Sequence, residues 1–276
     1  MRLTHNMFSL SIYKSYKKEL IDNAKASNTI GTGSKLSSAK DNPNRIGKNE
    51  TLKIQVLTND AASKNIQDAN SMIQTFDGSL QEINNNLARM KELTVNAGSG
   101  SVTAEDKKNI QTEIDSIKAD IDSLANNTEF NGVKLSNSTL TGVAQSSIKT
   151  AVGNMDDESI DIPFFNVSAE NLGVGSTLDV SNVDAANVAI DKATQMVSKI
   201  RSKYGSIQNR LEGTADYLSS KDINVQTAQS RIGDADIAQE MMQYSKSQLL
   251  INSSIGLMAQ SNNFPKDSLK ILENVR

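Results

Sequence analysis

The sequence predicts a mainly α protein: an elongated antiparallel helical bundle, or coiled-coil rod, with a small β excursion between its halves and terminal helices that pair on assembly. Three observations predict it. Apolar residues recur at alternating spacings of 4 and 3 over three stretches, the seam of helices that supercoil on one another. Only 3 Pro occur in 276 residues, which permits long unbroken helices. The pattern changes only between Phe130 and Asn182, where Gly, Ser, Thr and Val become frequent.

The elements follow in order. Phe8, Ile12, Tyr16 and Leu20 form a short apolar stripe at i, i+4 spacing. The stretch "NTIGTGSKLSSAKDNPN" is rich in linker residues and separates that stripe from the first seam. That seam runs Ala62, Ile66, Ala69, Ile73, Phe76, Leu80, Ile83, Leu87 and Met90. It extends back weakly to about Leu52 and ends near Gly98 and Gly100, good helix terminators. Thr103 before "AED" reads as an N-cap with acidic residues in the first turn. Ile110, Ile114, Ile117, Ile121 and Leu124 make the second seam, stopped by "NNTEFNG".

The third seam keeps one register through Ala186, Ile190, Ala193, Val197, Ile200, Tyr204, Ile207, Leu211, Thr214, Leu218, Lys221, Val225, Ala228 and Ile232. At about 1.5 Å per residue it is roughly 70 Å long and needs partner helices, which the first two seams supply. The seams at 52–97, 103–126 and 184–232 are expected to form one antiparallel bundle, since short connections return helices alongside one another. Within the excursion, "SIDIPFFNVSA" and "STLDVSN" read as short strands and "FNGVKL" as a turn entering one. The expected layout is a terminal-helix unit with linker at 1–35 and 240–276, a helical rod at 36–130 and 183–239, and a short β-hairpin and loop region at 131–182, at the rod end.

The C-terminal stretch poses a problem of its own. Met241, Met242, Leu249, Leu250, Ile251, Ile255, Leu257 and Met258 lie in a helical pattern that continues to Leu269 and Leu272. From Met241 to Pro265 the only charged residue is Lys246. Both terminal helices are too short and too weakly capped to be stable alone in water. Each has no intrachain partner except the other, and pairing them leaves much apolar surface over, which marks an interaction site. The residues describe a subunit whose ends order on assembly.

Composition narrows the function. Lys and Arg number 29 against 32 Asp and Glu, so no strong field attracts nucleic acid or an anionic membrane. Aromatics are 4% and Trp is absent, which leaves bases few stacking platforms. Cys is absent, so disulfides and thiolate metal sites are excluded. The start, "MRLTHNMFSLSIYKSYKKEL", has neither the apolar core nor the small-residue cleavage site of a secretory signal, and no run is long and apolar enough to span a bilayer. On these rules alone the compartment is the cytoplasm. Asp234, Asp236 and Glu240 offer too few oxygens for Ca²⁺ and read as a bend between helices. "GTGS" at 31–34 lacks a P-loop's setting and reads as a flexible spoke.

"SRIGDADIAQEM" from Ser230 to Met241 and "SKSQLLINSSIGLMAQSNNFPKDSLKIL" beyond it resemble the C-terminal region of bacterial flagellins. "YGSIQNRLEGTADYL" resembles that family's helix in the same half, and "NNLARMKELTVNAGSG" and "EFNGVKL" resemble its N-terminal half. The likeness covers nearly the whole chain in the family's order. The sequence departs from the family at "MRLTHNM", at "IGTG", which stands where Leu-Ser-Ser-Gly is usual, and at Pro43 after the matching "SAKD". The start, Pro43 and "NAGSGSVTAEDKK" lean toward a relative of similar layout, the hook-associated protein of the hook–filament junction. The C-terminal motif and "FNG" favour flagellin.

The resemblance implies a non-enzymatic subunit of the flagellar filament, a homopolymer that serves motility, with no cofactor or metal. It implies an inner layer of terminal helices lining the lumen, in which Phe8, Ile12, Tyr16, Leu20, Met241, Met242, Leu249, Ile255, Met258, Leu269 and Leu272 are the polymerisation residues. It implies an outer rod layer, in whose core the 4-3 periodicity places Ile66, Ile73, Phe76, Leu80, Ile83, Leu87, Ile114, Ile117, Ile121, Ile190, Val197, Ile200, Ile207, Leu211 and Leu218. It replaces the cytoplasmic expectation with an extracellular one, reached through the flagellum's own type III export channel without a cleaved signal. Implied partners are further copies, an export chaperone at the C-terminal region, and the junction and cap proteins. A contact with the innate immune flagellin receptor is implied at Arg89, Leu93 and Glu113, which match the family, while Ala88 and Asn96 stand where Gln is usual. Some flagellins carry a zinc-peptidase insert, but that chemistry needs two His around a Glu, and His5 is the single histidine.

Overall fold

The computed structural model describes residues 7–38, 40, 42–134, 146–153, 157–175 and 178–273, and of these leaves aside the side chains of 146 and 264–273. Among the described residues the chain forms five helices and two small antiparallel sheets, so it is mainly α, as the sequence predicts. It packs as two compact units, residues 55–223 and residues 1–54 with 224–276.

The first unit holds most of α2 (Pro43–Ala97), all of α3 (Ala104–Asn127) and most of α4 (Val183–Gly233). Arg201 on α4 grips Asp77 on α2 through Nε at 2.8 Å and Nη2 at 3.2 Å. Further along, Lys91 pairs with Asp191. Partner numbers fall on α4 as they rise on α2, so the two helices are antiparallel. α3 returns along α2, where Arg89 meets Glu113. Ile66, Ile73, Phe76, Leu80, Ile83, Leu87, Ile114, Ile117, Ile121, Ile190, Val197, Ile200, Ile207, Leu211 and Leu218 are all buried in one continuous core.

Local chemistry sets the helix ends. Thr103 caps α3 with a reciprocal pair: its hydroxyl accepts from the Asp106 N–H at 3.2 Å, and the Asp106 carboxylate accepts from the Thr103 N–H at 3.1 Å. The Thr103 hydroxyl, donating to Asp106 Oδ2 at 2.7 Å, and then the Thr103 N–H hold the Asp106 carboxyl below its ordinary value. Asn182 caps α4 through the Ala185 N–H. α2 starts at Pro43, nine residues ahead of the expected Leu52. Asn42 accepts from the Arg45 N–H at 3.2 Å, and Pro43 occupies the first helical position, where its missing N–H costs nothing.

The region between α3 and α4 departs furthest from expectation. Asn131 and Gly132, both at positive φ, turn β1 (Glu129–Phe130) into β2 (Val133–Lys134). β3 (Ser146–Ala151) pairs with β4 (Ser159–Phe164), and β3 was not foreseen. "SIDIPFFNVSA" is a strand only as far as Phe164. Of "STLDVSN", residues 178–182 are not strand: α3 side chains bond the backbone of Leu178 and Val180, and Asp179 accepts from the Ser181 and Asn182 N–H groups. Gln111 Oε1 accepts from the Val180 N–H at 3.0 Å, and Lys118 Nζ donates to the Leu178 carbonyl at 3.2 Å. Residues 135–145 of the excursion lie outside the described residues.

The hairpin is also not at the end of the bundle. Asn65 Nδ2 donates to the Ala151 carbonyl at 3.2 Å, Phe164 meets Phe76 edge-on at 5.7 Å, and the Tyr204 hydroxyl donates to the Pro163 carbonyl. It lies beside α2 and α4, where α3 no longer reaches. With 24 residues against 55 in α2, α3 covers only part of the seam, and Ile160, Ile162 and Phe164 bury the rest.

The second unit contains α1 (Met7–Thr32) and α5 (Ile237–Glu273). α1 runs into the expected linker, through Asn28 to Thr32. It ends at Gly33, whose φ of 69° lets its N–H return to the Thr29 carbonyl at 2.9 Å. The expected flexible spoke is a paired segment: Ser34 bridges to Asp234, and Lys35 donates to the Gly233 carbonyl at 2.7 Å. Asp236 caps α5 through the Ala238 and Gln239 N–H groups.

Candidate assembly surface

α1 and α5 lie antiparallel. Ser9 Oγ donates to Asn262 Oδ1 at 3.4 Å, and Asn23 Nδ2 donates to the Tyr244 carbonyl at 3.3 Å. Their Cα atoms come within 8 Å along the pair.

Small residues permit that approach. The inward positions of α5 are Ser247, Ile251, Ser254, Met258 and Ser261, at spacings of 4 and 3. Ser247 is 0% exposed and Ile251 7%. Facing them on α1, the covered positions include Ile12, Tyr16, Asn23, Ala26 and Thr29. Outside, the large apolar side chains stand in solvent: Met7, Phe8, Leu10, Leu20 and Ile21 on α1, with Ile237, Met241, Met242, Leu249, Leu250, Ile255 and Leu257 on α5. Leu249 is 69% exposed. The pair's inner face mixes serines with Ile12, Ala26 and Ile251, and large apolar side chains stand on its outer face as well.

This arrangement sorts the residues named from sequence. Phe8, Leu20, Met241, Met242, Leu249 and Ile255 are on the exposed surface, Tyr16 and Met258 are half-buried, and Ile12 is buried. The side chains of Leu269 and Leu272 lie outside the described residues. Phe8, Ile12, Tyr16 and Leu20 do not share a face, because each i, i+4 step turns about 40° around a helix. Sequence reasoning missed Ser247, Ser254 and Ser261. Their signal was the heptad spacing they keep with Ile251 and Met258, hidden by a search for large apolar residues.

On the bundle surface, Arg89 is exposed and held by Glu113 at 2.8 Å and Glu92 at 2.7 Å, which raise its pKa further. Leu93 does not belong to that surface. It is buried in the core with Met90 and Ala97, because it falls on the seam's inward side. Ala88 and Asn96 are exposed.

Asp234 and Asp236 serve the break between α4 and α5, accepting from the Ser230 hydroxyl and from the first N–H groups of α5. Among the described residues no three His, Cys, Asp or Glu gather as metal ligands, and no helix is long and apolar enough to cross a membrane. His5 lies outside the described residues.

Fold and surface together define a helical subunit whose uncovered apolar area is concentrated on its terminal helices. Residues 3–141 match the bacterial flagellin N-terminal helical region, and residues 188–272 match the bacterial flagellin C-terminal helical region. Flagellin of Bacillus subtilis (strain 168) is 32% identical over 303 residues, spanning 99% of this chain and 100% of that one. Flagellin of Halalkalibacterium halodurans is 30% identical over 276 residues, with the same coverage. The structure of a putative flagellar hook-associated protein from Vibrio parahaemolyticus shares the fold, with a TM-score of 0.59 at 18% identity over 70% of this chain and 100% of that one. The chain belongs to the bacterial flagellin family. It is a structural subunit of the flagellar filament, and the junction-protein alternative is not favoured.

Proposed function

We propose that the subunit polymerises through the outer face of the α1/α5 pair, which forms the inner layer of the filament at 1–35 and 240–276, with 36–130 and 183–239 as its outer rod. The observation that carries this reading is the set of large apolar side chains exposed along the pair. Burying its exposed Leu, Ile, Met and Phe side chains between copies contributes on the order of 10 kcal/mol, set against the entropy of association. A bundle with its own closed core keeps its fold while its ends bind neighbours.

The subunit leaves the cell through the flagellar export channel, escorted by a chaperone on its C-terminal region, and meets the junction and cap proteins at the filament's ends. The immune flagellin receptor reads the surface at Arg89 and Glu113. These readings rest on membership of the family and on the exposure of α5 and Arg89.

Deletion tests the assembly reading. A chain lacking Met241 through Arg276 is expected to stay soluble with a helical, cooperatively melting bundle, yet not to sediment under polymerising conditions. Filaments formed by that chain would overturn the assignment.

A further inference from the structure

Three methionines stand on the proposed assembly pair with open access to solvent. Met7 is 70% exposed, Met241 48% and Met242 68%, whereas Met72 and Met90 in the bundle are 6% and 0% exposed. Asn23 bonded to Tyr244 sets Met241 and Met242 at one end of the antiparallel pair, and Ser9 bonded to Asn262 sets Met7 at the other. Leu10 lies one turn from Met7, Ile237 one turn from Met241 and Leu249 two turns from Met242, all exposed, with Lys246 one turn from Met242 on the same face.

We infer that Met7, Met241 and Met242 form an oxidant-sensitive modification site that withdraws unassembled subunits from polymerisation. The inference rests on the assembly reading given above. The modifying reagent is hydrogen peroxide. The thioether sulfur attacks one peroxide oxygen, the O–O bond breaks, and an S–O bond forms. The sulfur loses two electrons, and the other oxygen leaves as water once protonated. The product, a sulfoxide, is polar and chiral where an apolar side chain stood, and sulfoxide reductases reverse it. Placed in an apolar contact between copies, the new S–O dipole loses its water without gaining a partner. Access selects the residues: buried Met90 is shielded by the bundle, and assembly shields the outer face of the pair.

The test uses full-length monomer treated with hydrogen peroxide, quenched, mapped by peptide mass and then polymerised. Oxygen is expected on Met7, Met241 and Met242 and not on Met72 or Met90, with a several-fold loss of sedimenting filament. The M7L/M241L/M242L variant, which keeps apolar bulk but has no thioether, is expected to polymerise equally with and without peroxide. M196L removes an exposed thioether from α4 and is expected to leave the loss unchanged. Treated wild type that carries the three sulfoxides yet assembles fully overturns the inference. So does a triple variant that loses assembly on oxidation as wild type does. If the untreated triple variant does not assemble, sulfoxide reductase on treated wild type decides: restored assembly supports the inference, and reduction without restoration overturns it. Failure of the assembly reading is read separately, from filaments formed by the chain truncated at Met241.

Discussion

Tyr204 on α4, fully buried, donates its hydroxyl hydrogen to the carbonyl of Pro163 on β4 at 3.0 Å. That bond ties the hairpin to the bundle where Phe76 and Phe165 pack against the Tyr204 ring and Phe164 packs against Phe76. Tyr204→Phe is expected to cost about 1 kcal/mol in thermal or urea unfolding. Burial also raises the phenol above its ordinary value of 10.0. The folded state holds the neutral form, so its contribution is complete below about pH 10 and is lost as pH rises through the folded-state value. The variant's stability should therefore fall less steeply than wild type's on the alkaline side.

Ile83 and Ile200 are buried on facing helices. Replacing either with Asp places a carboxylate in the core and is expected to destabilise by several kcal/mol, seen as a lower midpoint in denaturant. A variant melting like its parent would refute the seam assignment.

Thr103→Ala removes the hydroxyl that caps α3 and is expected to cost about 1 kcal/mol. Asp106, whose carboxyl is held low first by the Thr103 hydroxyl and then by its N–H, contributes above its unfolded-state pKa. That contribution is lost as pH falls through the lowered value. The capped and uncapped proteins should converge in stability in acid, which an acid titration of the melting temperature checks.

Ser247→Leu puts a large side chain where α5 lies against α1 with no room for it. The expected outcome is a bundle that melts as in wild type and a chain that polymerises poorly, because the outer faces of the pair are misaligned. Equal filament yield from this variant would show that the α1/α5 spacing does not matter for assembly.

For the immune receptor, restoring Gln at Ala88 and Asn96 is expected to raise the response of a reporter cell to soluble monomer. Arg89→Ala should lower it. Leu93→Ala should act chiefly through stability, by about 2–5 kcal/mol, because the side chain is in the core. No change on restoring both Gln, at equal monomer concentration, counts against the contact.

The sequence by itself determined the bundle. A 4-3 spacing puts Ile66, Ile73, Leu80 and Leu87 on one stripe whatever surrounds the helix, and the short connection at Gly98–Thr103 turns α3 back along α2. The Thr103 cap and the Asn131–Gly132 turn were legible for the same reason: both are made by residues within a few positions of one another. Tertiary structure decided the rest. The place of the hairpin depends on α3 being shorter than α2, so that Ile162 and Phe164 cover a seam that α3 leaves open. The stretch Leu178–Val180 is apolar enough for a strand, but Gln111 and Lys118 bind its backbone first. The inward face of the terminal pair was decided by how closely two backbones can approach. Ser247 and Ala26 allow that approach, Met242 and Leu249 do not, and the larger apolar residues are therefore left facing outward.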